Sequence, residues 1–509
     1  MCICKNITTF AAVFQSEPMY SFKKYLPYYK RNLRVALPVM LTQLGASLVG
    51  FFDSIMVGHY ATVDLAAVSF ANAIFFTVMV FAMGALMGIT PLVGIQVGAQ
   101  HTSSPIANSP SPIANNQSPI ANNQSPIANS HISSLFQNGV LFTVLLSAVM
   151  LILLGACIPF LDRFGQDPEV IEVARPYYIL IVVSLVPFLF FSFFKQFLEG
   201  LGNTMVAMVI TLLMNGLNIL LNWVFIYGNW GFEPMGATGA GIGSLISRIG
   251  MPLCFWAVMA WRKEWKQYLP QVRNRTTIKQ TNSLPFREGA GVGLRFSWQR
   301  IRELAKIGFP IGGQTLLETF LFTASFVIIG WISKEALAAH QISNQIADMT
   351  FMLALGIGSA TTIRVSHQLG EGNIHGVRMA STASVHLVLL MNTIGAALMI
   401  SLRNYIPMLF TEDQEVIAIA SQLIVLAGLF QYADGLQAVG AAMLRGITDV
   451  KVPMVIAFVS YILIGLSVGL ICAFPLNMGA AGIWIGFIFA LAVAAICFHI
   501  RFNRKLKKL

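Results

Sequence analysis

Four carboxylic acids, Asp53, Glu318, Asp348 and Asp434, stand in stretches that are otherwise apolar, as do Lys195, Glu199 and Arg248. A charged side chain in the middle of a membrane-spanning helix costs about 2.5–3.5 kcal/mol on insertion scales, so each of these residues needs a reason to be there. Glu318 follows Gln314 by four residues, which puts both on one helical face. Gln341, Asn344, Gln345 and Asp348 fall at i, i+3, i+4 and i+7 and form a continuous polar stripe. Gln431, Asp434 and Gln437 recur at threes. In the first half, Asp53 shares its face with Ala46 and Gly50, while Asn215, Asn218 and Asn222 line one face of another helix. A carboxylate beside amide and hydroxyl oxygens can hold a proton or a small hard cation such as Na⁺. The same groups could instead glue helices together by hydrogen bonds. Lys195 and Glu199, at i and i+4, predict a local ion pair. Arg248 is expected to neutralise a neighbouring carboxylate.

The elements that carry these groups must be membrane helices. The chain is 56% hydrophobic and only 10% charged, against about 25% charged residues in soluble domains. Apolar runs long enough to cross about 30 Å of hydrocarbon lie near 35–57, 66–90, 135–158, 176–198, 205–228 and 238–260, and again near 306–330, 338–362, 379–402, 418–443, 452–474 and 478–500. The two sets are copies. Reading from Pro38 and from Pro310, Gly58 falls on Gly330, Leu65 on Leu337, Asn72 on Asn344, Gly84 on Gly356 and Gly98 on Gly370. Later, at a shorter offset, Leu198, Gly200 and Met208 match Leu444, Gly446 and Met454. Six spans return the chain to its starting side, so the halves should be parallel repeats. The expected fold is an all-α integral membrane protein of 12 transmembrane helices, built as two six-helix lobes around a central cavity.

Residues 1–34 read as a cytoplasmic N-terminal segment, 35–260 as the N-lobe, 261–305 as a basic cytoplasmic connector, 306–500 as the C-lobe and 501–509 as a basic tail. Within the N-lobe, 101–131 holds a tandem SPIANNQ-type heptad with Ser104, Ser111, Ser118 and Ser125 in phase. It has too little apolar surface to fold and reads as a tolerated loop insertion. Trp298–Lys306 reads as an amphipathic surface helix feeding the seventh span. The net charge of +11 is a matter of topology. Of the 32 Lys and Arg, one side holds only Arg163, Arg175, Lys334 and Arg403, Lys195 and Arg248 fall in spans, and the rest lie on the other side, including Lys24, Lys30, Arg31 and Arg34. The positive-inside rule then places both termini in the cytoplasm, with anionic lipid rather than nucleic acid as the partner of the basic surface. Cys2, Cys4, Cys157, Cys254, Cys472 and Cys497 complete no metal site and read as packing residues. No Walker motif is present, which argues against ATP-driven transport. His59, His340, His367, His375, His386 and His499 show no catalytic spacing, so an enzyme is not expected; His340 is expected to bond within the stripe.

The chain resembles the multidrug and toxic compound extrusion (MATE) family from about Arg31 to Ile500. The resemblance rests on FFDSIMVGHY with LAAVS, GFP leading to Glu318, LAAHQIS continuing to TTIRV, Asp434 in QYADGLQAVG, and LRGITDVKVPM. It implies an inner-membrane antiporter that exchanges H⁺ or Na⁺ for drugs and other organic cations, without a cofactor. Asp53 matches the family's N-lobe carboxylate, Glu318 and Asp434 its C-lobe pair, Asn218 its N-lobe asparagine and Thr238 the threonine nearby. Na⁺, where it is the coupling ion, would sit at Glu318, Asp434 or Asp53. Two positions depart from the pattern: Asn222 stands where some members have a second aspartate, and Phe430 where some Na⁺-coupled members have tyrosine. Phe320, Phe322, Phe430 and Tyr432 are the aromatic neighbours expected to receive a lipophilic cation. A monomer is the default expectation, and a lipid-linked glycan flippase is the alternative reading.

Overall fold

Lipid offers no hydrogen bonds, so apolar segments of this length must satisfy their backbones internally, as helices. The computed structural model describes residues 22–102, 126–262, 265, 268 and 296–509. Cys2, Cys4, the heptads up to residue 125 and most of the connector lie outside the described residues. Among the described residues, 12 helical segments are long and apolar enough to span a membrane.

In the N-lobe, α1 is Phe22–Tyr60, α2 is Thr62–Leu86 and α3 is Ile89–Thr102, the last two forming one span broken at Met87–Gly88. They are followed by α4 (Pro126–Cys157), α5 (Pro168–Gly200), α6 (Met205–Tyr227) and α7 (Gly236–Trp261). The C-lobe has α8 (Trp298–Gly330), α9 (Lys334–Gly370), α10 (Ile374–Ser401) and α11 (Gln414–Gly446). Its next span is α12 (Lys451–Ala457), a π-helical turn (Phe458–Leu466) and α13 (Ser467–Ala473), and α14 (Gly479–Leu506) closes the lobe. Side chains cap several N-termini: Asp167 accepts from Glu169 N at 3.0 Å, Ser333 from Ala336 N at 3.0 Å and Asp413 from Glu415 N at 2.9 Å.

Several expected boundaries move. The first helix already begins at Phe22, inside the segment assigned to a cytoplasmic leader. α4 begins at Pro126, so the last heptad residues belong to the third span. Trp298–Lys306 is the first part of α8, which runs on through Gly308 and Pro310 into the seventh span without a break. From the connector, Trp265 and Tyr268 are buried against the N-lobe core, with Tyr268 edge-on to Phe197.

The repeat is visible in the packing. α2 lies on α5, α5 on α7 and α6 on α7; in the C-lobe α9 lies on α11, α11 on α14 and α13 on α14. Between the lobes α1 packs on α9, and α8 on α2. In the seam, Gly84 of α2 faces Gly312 of α8, while its repeat mate Gly356 faces Met40 of α1. Met40 and Gly312 are themselves mates at the same offset. Further down, Gly98 abuts the carbonyl of His367 and Gly370 abuts the carbonyl of Ile95, which are mates again. The pseudo-two-fold axis therefore runs through a seam of bare backbone, where any Cβ would overlap the opposite chain. Without a hydrophobic driving force between helices in lipid, such close approach is what joins them.

The hydrogen bonds that cross between lobes lie at this same end, which carries the start of α1 and the basic segments. His367 Nε2 lies 2.8 Å from Gly200 O, and Asn32 Nδ2 donates to Ala380 O at 3.0 Å and to Ser384 Oγ at 2.9 Å. Tyr29 OH is 2.7 Å from His386 Nδ1. Toward the other end α1 leaves the seam: Gly50 has open space beside it, and Ala46–Ser54 is exposed or half-buried throughout.

A side chain in the seam should force the basic end open. Gly98→Val and Gly370→Val are each expected to lengthen the spin-label distance between Met205→Cys and Lys451→Cys, repeat mates at the basic ends of α6 and α12. An unchanged distance distribution in both variants would show that the glycines do not set the closure.

Candidate functional site

In the C-lobe, α8, α11 and the π-helical turn bring polar groups together. Gln437 Nε2 donates to Glu318 Oε1 at 2.6 Å, and Tyr461 OH donates to Gln437 Oε1 at 3.0 Å. Tyr461 is fully buried, and it also lies within hydrogen-bonding reach of Gln314, itself buried on α8. The wider π turn carries Tyr461; such turns recur at functional sites. Asp434 is buried one turn before Gln437, and Glu318 and Asp348 both act on it electrostatically. Its Oδ1 is enclosed and has no hydrogen-bond partner among the described residues. A buried acceptor in that state is unfavourable by about 1–3 kcal/mol until something fills it.

The α9 stripe is present as a face but is not uniformly joined to this cluster. Asn344 Nδ2 lies 3.4 Å from Asp348 Oδ2, with Gln345 half-buried beside them. Gln341 lines a cavity of about 500 Å³ between α8 and α9 with Phe326, Val327 and Leu337. His340 is not a member of the stripe. It is fully buried on an adjoining face of α9, accepting from Trp484 Nε1 at 3.2 Å and lying 3.0 Å from Ser325 Oγ. With Nδ1 accepting, Nε2 carries the proton toward Ser325. Gln431 also turns away from Glu318: its amide nitrogen contacts Met399 Sδ and its backbone oxygen accepts from Asn392 at 2.6 Å. Phe430 is buried against Trp484 and Phe487, and Tyr432 OH donates to Thr393 Oγ1 at 3.1 Å. Phe320 is exposed, and Phe322 stacks edge-on with Phe430.

In the N-lobe, Asn222 Nδ2 donates to Asp53 Oδ1 at 2.6 Å, which joins α6 to α1. Asn218 Nδ2 lies 3.5 Å from Ser244 Oγ on α7. Among the described residues, the amide oxygens of Asn218 and Asn222 and the amide nitrogen of Asn215 are enclosed without hydrogen-bond partners. Thr238 is half-buried at the start of α7. Arg248 acts electrostatically on Asp53, but its hydrogen bond goes to Ser184 Oγ at 2.7 Å, and its guanidinium sits 5.2 Å from the ring centres of both Phe75 and Phe188. Tyr177 OH, in the same region, donates to Asn72 Oδ1 at 3.2 Å.

The expected Lys195–Glu199 ion pair does not form. Lys195 Nζ donates instead to Gln43 Oε1 on α1 at 3.0 Å, and Glu199 Oε1 is enclosed with no hydrogen-bond partner among the described residues, though Lys195 still acts on Glu199 electrostatically. A local i, i+4 pair on the helix surface gives way here to an inward-facing partner on another helix. Two arginines escaped notice because spans cut at membrane length end before them. Arg445, the repeat mate of Glu199, is the cation that acts on Glu318, and its Nη1 lies 3.5 Å from Met87 Sδ at the α2–α3 break. Arg364 lies inside α9 at the basic end. The signal available was the helical pattern running on past 362 and 443 without a breaker.

Among the described residues, no three His, Cys, Asp or Glu converge as a metal-ligand set. The described cysteines, Cys157, Cys254, Cys472 and Cys497, are unpaired and half-buried. The arrangement instead offers two separate carboxylate sites, one per lobe, that can exchange small cations without any covalent step.

The MatE family model matches residues 38–105, 129–224 and 310–471, and its first gap falls on the heptad insertion. A probable multidrug resistance protein NorM from Xanthomonas axonopodis pv. citri is 30% identical over 478 residues, spanning 93% of this chain and 94% of that protein. The multidrug resistance protein NorM of Photobacterium profundum is 28% identical, over 93% of this chain and 95% of its own. Among solved structures, the eukaryotic MATE transporter AtDTX14 superposes with a TM-score of 0.76 at 17% identity, over 95% of this chain and 98% of that one. An outward-facing multidrug resistance MATE family transporter of the MOP superfamily gives 0.75 at 19%, over 97% of this chain and all of its own. At these identities the structures speak for the fold alone, while the family match covers more than half of the chain. The chain therefore belongs to the MatE family: it is a multi-pass membrane transporter, not an enzyme.

Proposed function

We propose that this protein exports lipophilic organic cations in exchange for protons, with Glu318 and Asp434 as the shared site. The observation that carries this reading is Asp434 Oδ1, enclosed and without a hydrogen-bond partner among the described residues, next to Glu318, whose Oε1 accepts from Gln437. An enclosed carboxylate oxygen without a donor is satisfied by a proton or by a cation, and the two compete for it. The multidrug-resistance names of the relatives support drugs as the exported class.

With the basic end in the cytoplasm, the closed glycine seam lies inside and the parted end opens outward. In that state protons reach the acidic pair from outside, remove the field that held the organic cation, and release it. Each positive charge moving inward across the full membrane gains about 2.3 kcal/mol per 100 mV. Rocking of the lobes about the pseudo-two-fold axis then re-exposes the pair to the cytoplasm. One chain contains both lobes and both carboxylate sites, so a monomer in the inner membrane, with its termini in the cytoplasm, suffices. A second reading, Na⁺ coupling, is favoured by the orphan amide oxygens of Asn218 and Asn222 beside Asp53, a hard-cation donor set in the N-lobe.

Proteoliposome efflux of a fluorescent lipophilic cation separates these readings. An imposed inward H⁺ gradient is expected to drive efflux and an Na⁺ gradient is not, while Glu318→Gln with Asp434→Asn is expected to abolish it at unchanged protein yield. Coupled efflux that survives the double variant sinks the assignment. Tyr461→Phe removes a hydrogen bond of the supporting shell, so it is expected to lower stability by about 0.5–1.5 kcal/mol while efflux remains measurable. Denaturation of wild type and variant in the same detergent checks this, and complete loss of efflux would place Tyr461 in the exchange itself.

A further inference from the structure

The closed end of the bundle holds a guanidinium, that of Arg364, with one edge unpartnered among the described residues. Arg364 lies on α9 eight residues past Gly356, and Asn32 lies on α1 eight residues before Met40. Since Gly356 packs on Met40 and the helices run antiparallel, Arg364 comes level with Asn32, Arg31 and Tyr28. Nε and Nη2 of Arg364 are enclosed and have no hydrogen-bond partner among the described residues. These two nitrogens form one edge of the guanidinium plane, the edge that grips a carboxylate or phosphate through two parallel hydrogen bonds.

The same edge is in use elsewhere at this end. Arg501 places Nε 2.8 Å and Nη2 3.5 Å from the two carboxylate oxygens of Asp449. Arg364 has no such carboxylate. Glu371 is the acid that acts on it, but Glu371 Oε2 accepts from Gln368 Nε2 at 2.6 Å, and Arg31 acts on Arg364 as well. In the same layer, Asn32 spends its amide nitrogen on Ala380 and Ser384 and leaves an enclosed Oδ1 without a donor. Orphan donors and an orphan acceptor side by side call for a ligand with anionic oxygens and a hydroxyl, as in a glycerol phosphate headgroup. Arg31 and Arg34 are exposed, and from them Leu37 and Leu41 continue an exposed apolar track along α1 on which acyl chains can lie.

We propose that the seam between α1 and α9 binds the phosphate of an anionic phospholipid from the leaflet at the basic end, with Arg364 gripping it through Nε and Nη2 and Arg31 closing over it. Because α1 belongs to the N-lobe and α9 to the C-lobe, the headgroup ties the lobes together where they already touch.

The test uses the full-length purified chain in detergent, titrated separately with phosphatidylglycerol, phosphatidylcholine and sodium phosphate. Bound lipid is read by native mass spectrometry and stability by the unfolding temperature. Phosphatidylglycerol is expected to bind and to raise the unfolding temperature, and phosphatidylcholine to do neither. Arg364→Gln and Arg31→Gln are each expected to weaken phosphatidylglycerol binding by about tenfold or more, the loss of charge-assisted hydrogen bonds. Arg31 is exposed, so Arg31→Gln decides the matter if Arg364→Gln does not fold. Wild-type affinity in Arg31→Gln overturns the site. Equal stabilisation by sodium phosphate alone overturns the lipid as its occupant and leaves a free anion on the fork.

Discussion

Two carboxyl groups, Glu318 and Asp434, act on one another inside the C-lobe, with the amide of Gln437 bonded to Glu318. Like charges at short range in a medium of low dielectric repel strongly, so the pair is not stable as two free anions. Something positive must be there, and what it is can change. That requirement explains the surroundings. Tyr461 orients Gln437 from a π-helical turn, Gln314 backs Tyr461, and Arg445 supplies a standing charge from three turns further along α11. A site that held one permanent cation would have no need of neutral donors that leave an oxygen open.

The structure is symmetric where it must move and asymmetric where it binds. The seam glycines and their carbonyl partners are repeat mates, and each lobe packs its helices in the same order. The carboxylates break the pattern: the mate of Glu318 is Ala46, that of Asp53 is Ser325, and that of Asp434 is Phe188. Glu199 and Arg445 are mates of opposite charge. Duplicated backbones give a hinge that is equally well packed on both sides of its axis, and divergence of side chains then gives each lobe its own ion chemistry. Asp53, held by Asn222 near Arg248, is a different kind of site from the C-lobe pair.

Most of this fold could be read from the sequence, because lipid leaves helices as the one choice and the repeat exposes their order. The N-lobe contact between Asp53 and Asn222 and the C-lobe contact between Glu318 and Gln437 join residues that the polar pattern had singled out. The failures have geometric causes. Gln431 and Gln437, six residues apart, point about 120° away from each other on a helix, so a run at threes does not keep one face. His340 precedes the stripe by one residue and is therefore rotated about 100° off it. Lys195 lies a turn from Glu199, yet Gln43 on α1 captures it, and no local spacing announces a partner on another helix. Arg364 and Arg445 were passed over because helices of 37 and 33 residues outrun a bilayer-length window.

The most direct test of the exchange is proton release on substrate binding. A lipophilic cation is added to purified protein in weakly buffered, Na⁺-free detergent solution, and the pH change is followed with an indicator dye. If the cation and the proton share the C-lobe pair, binding releases protons in proportion to occupancy, and the Glu318→Gln, Asp434→Asn double variant releases none. Saturable binding by the wild type with no proton released, at any pH where the protein is folded, would contradict the account.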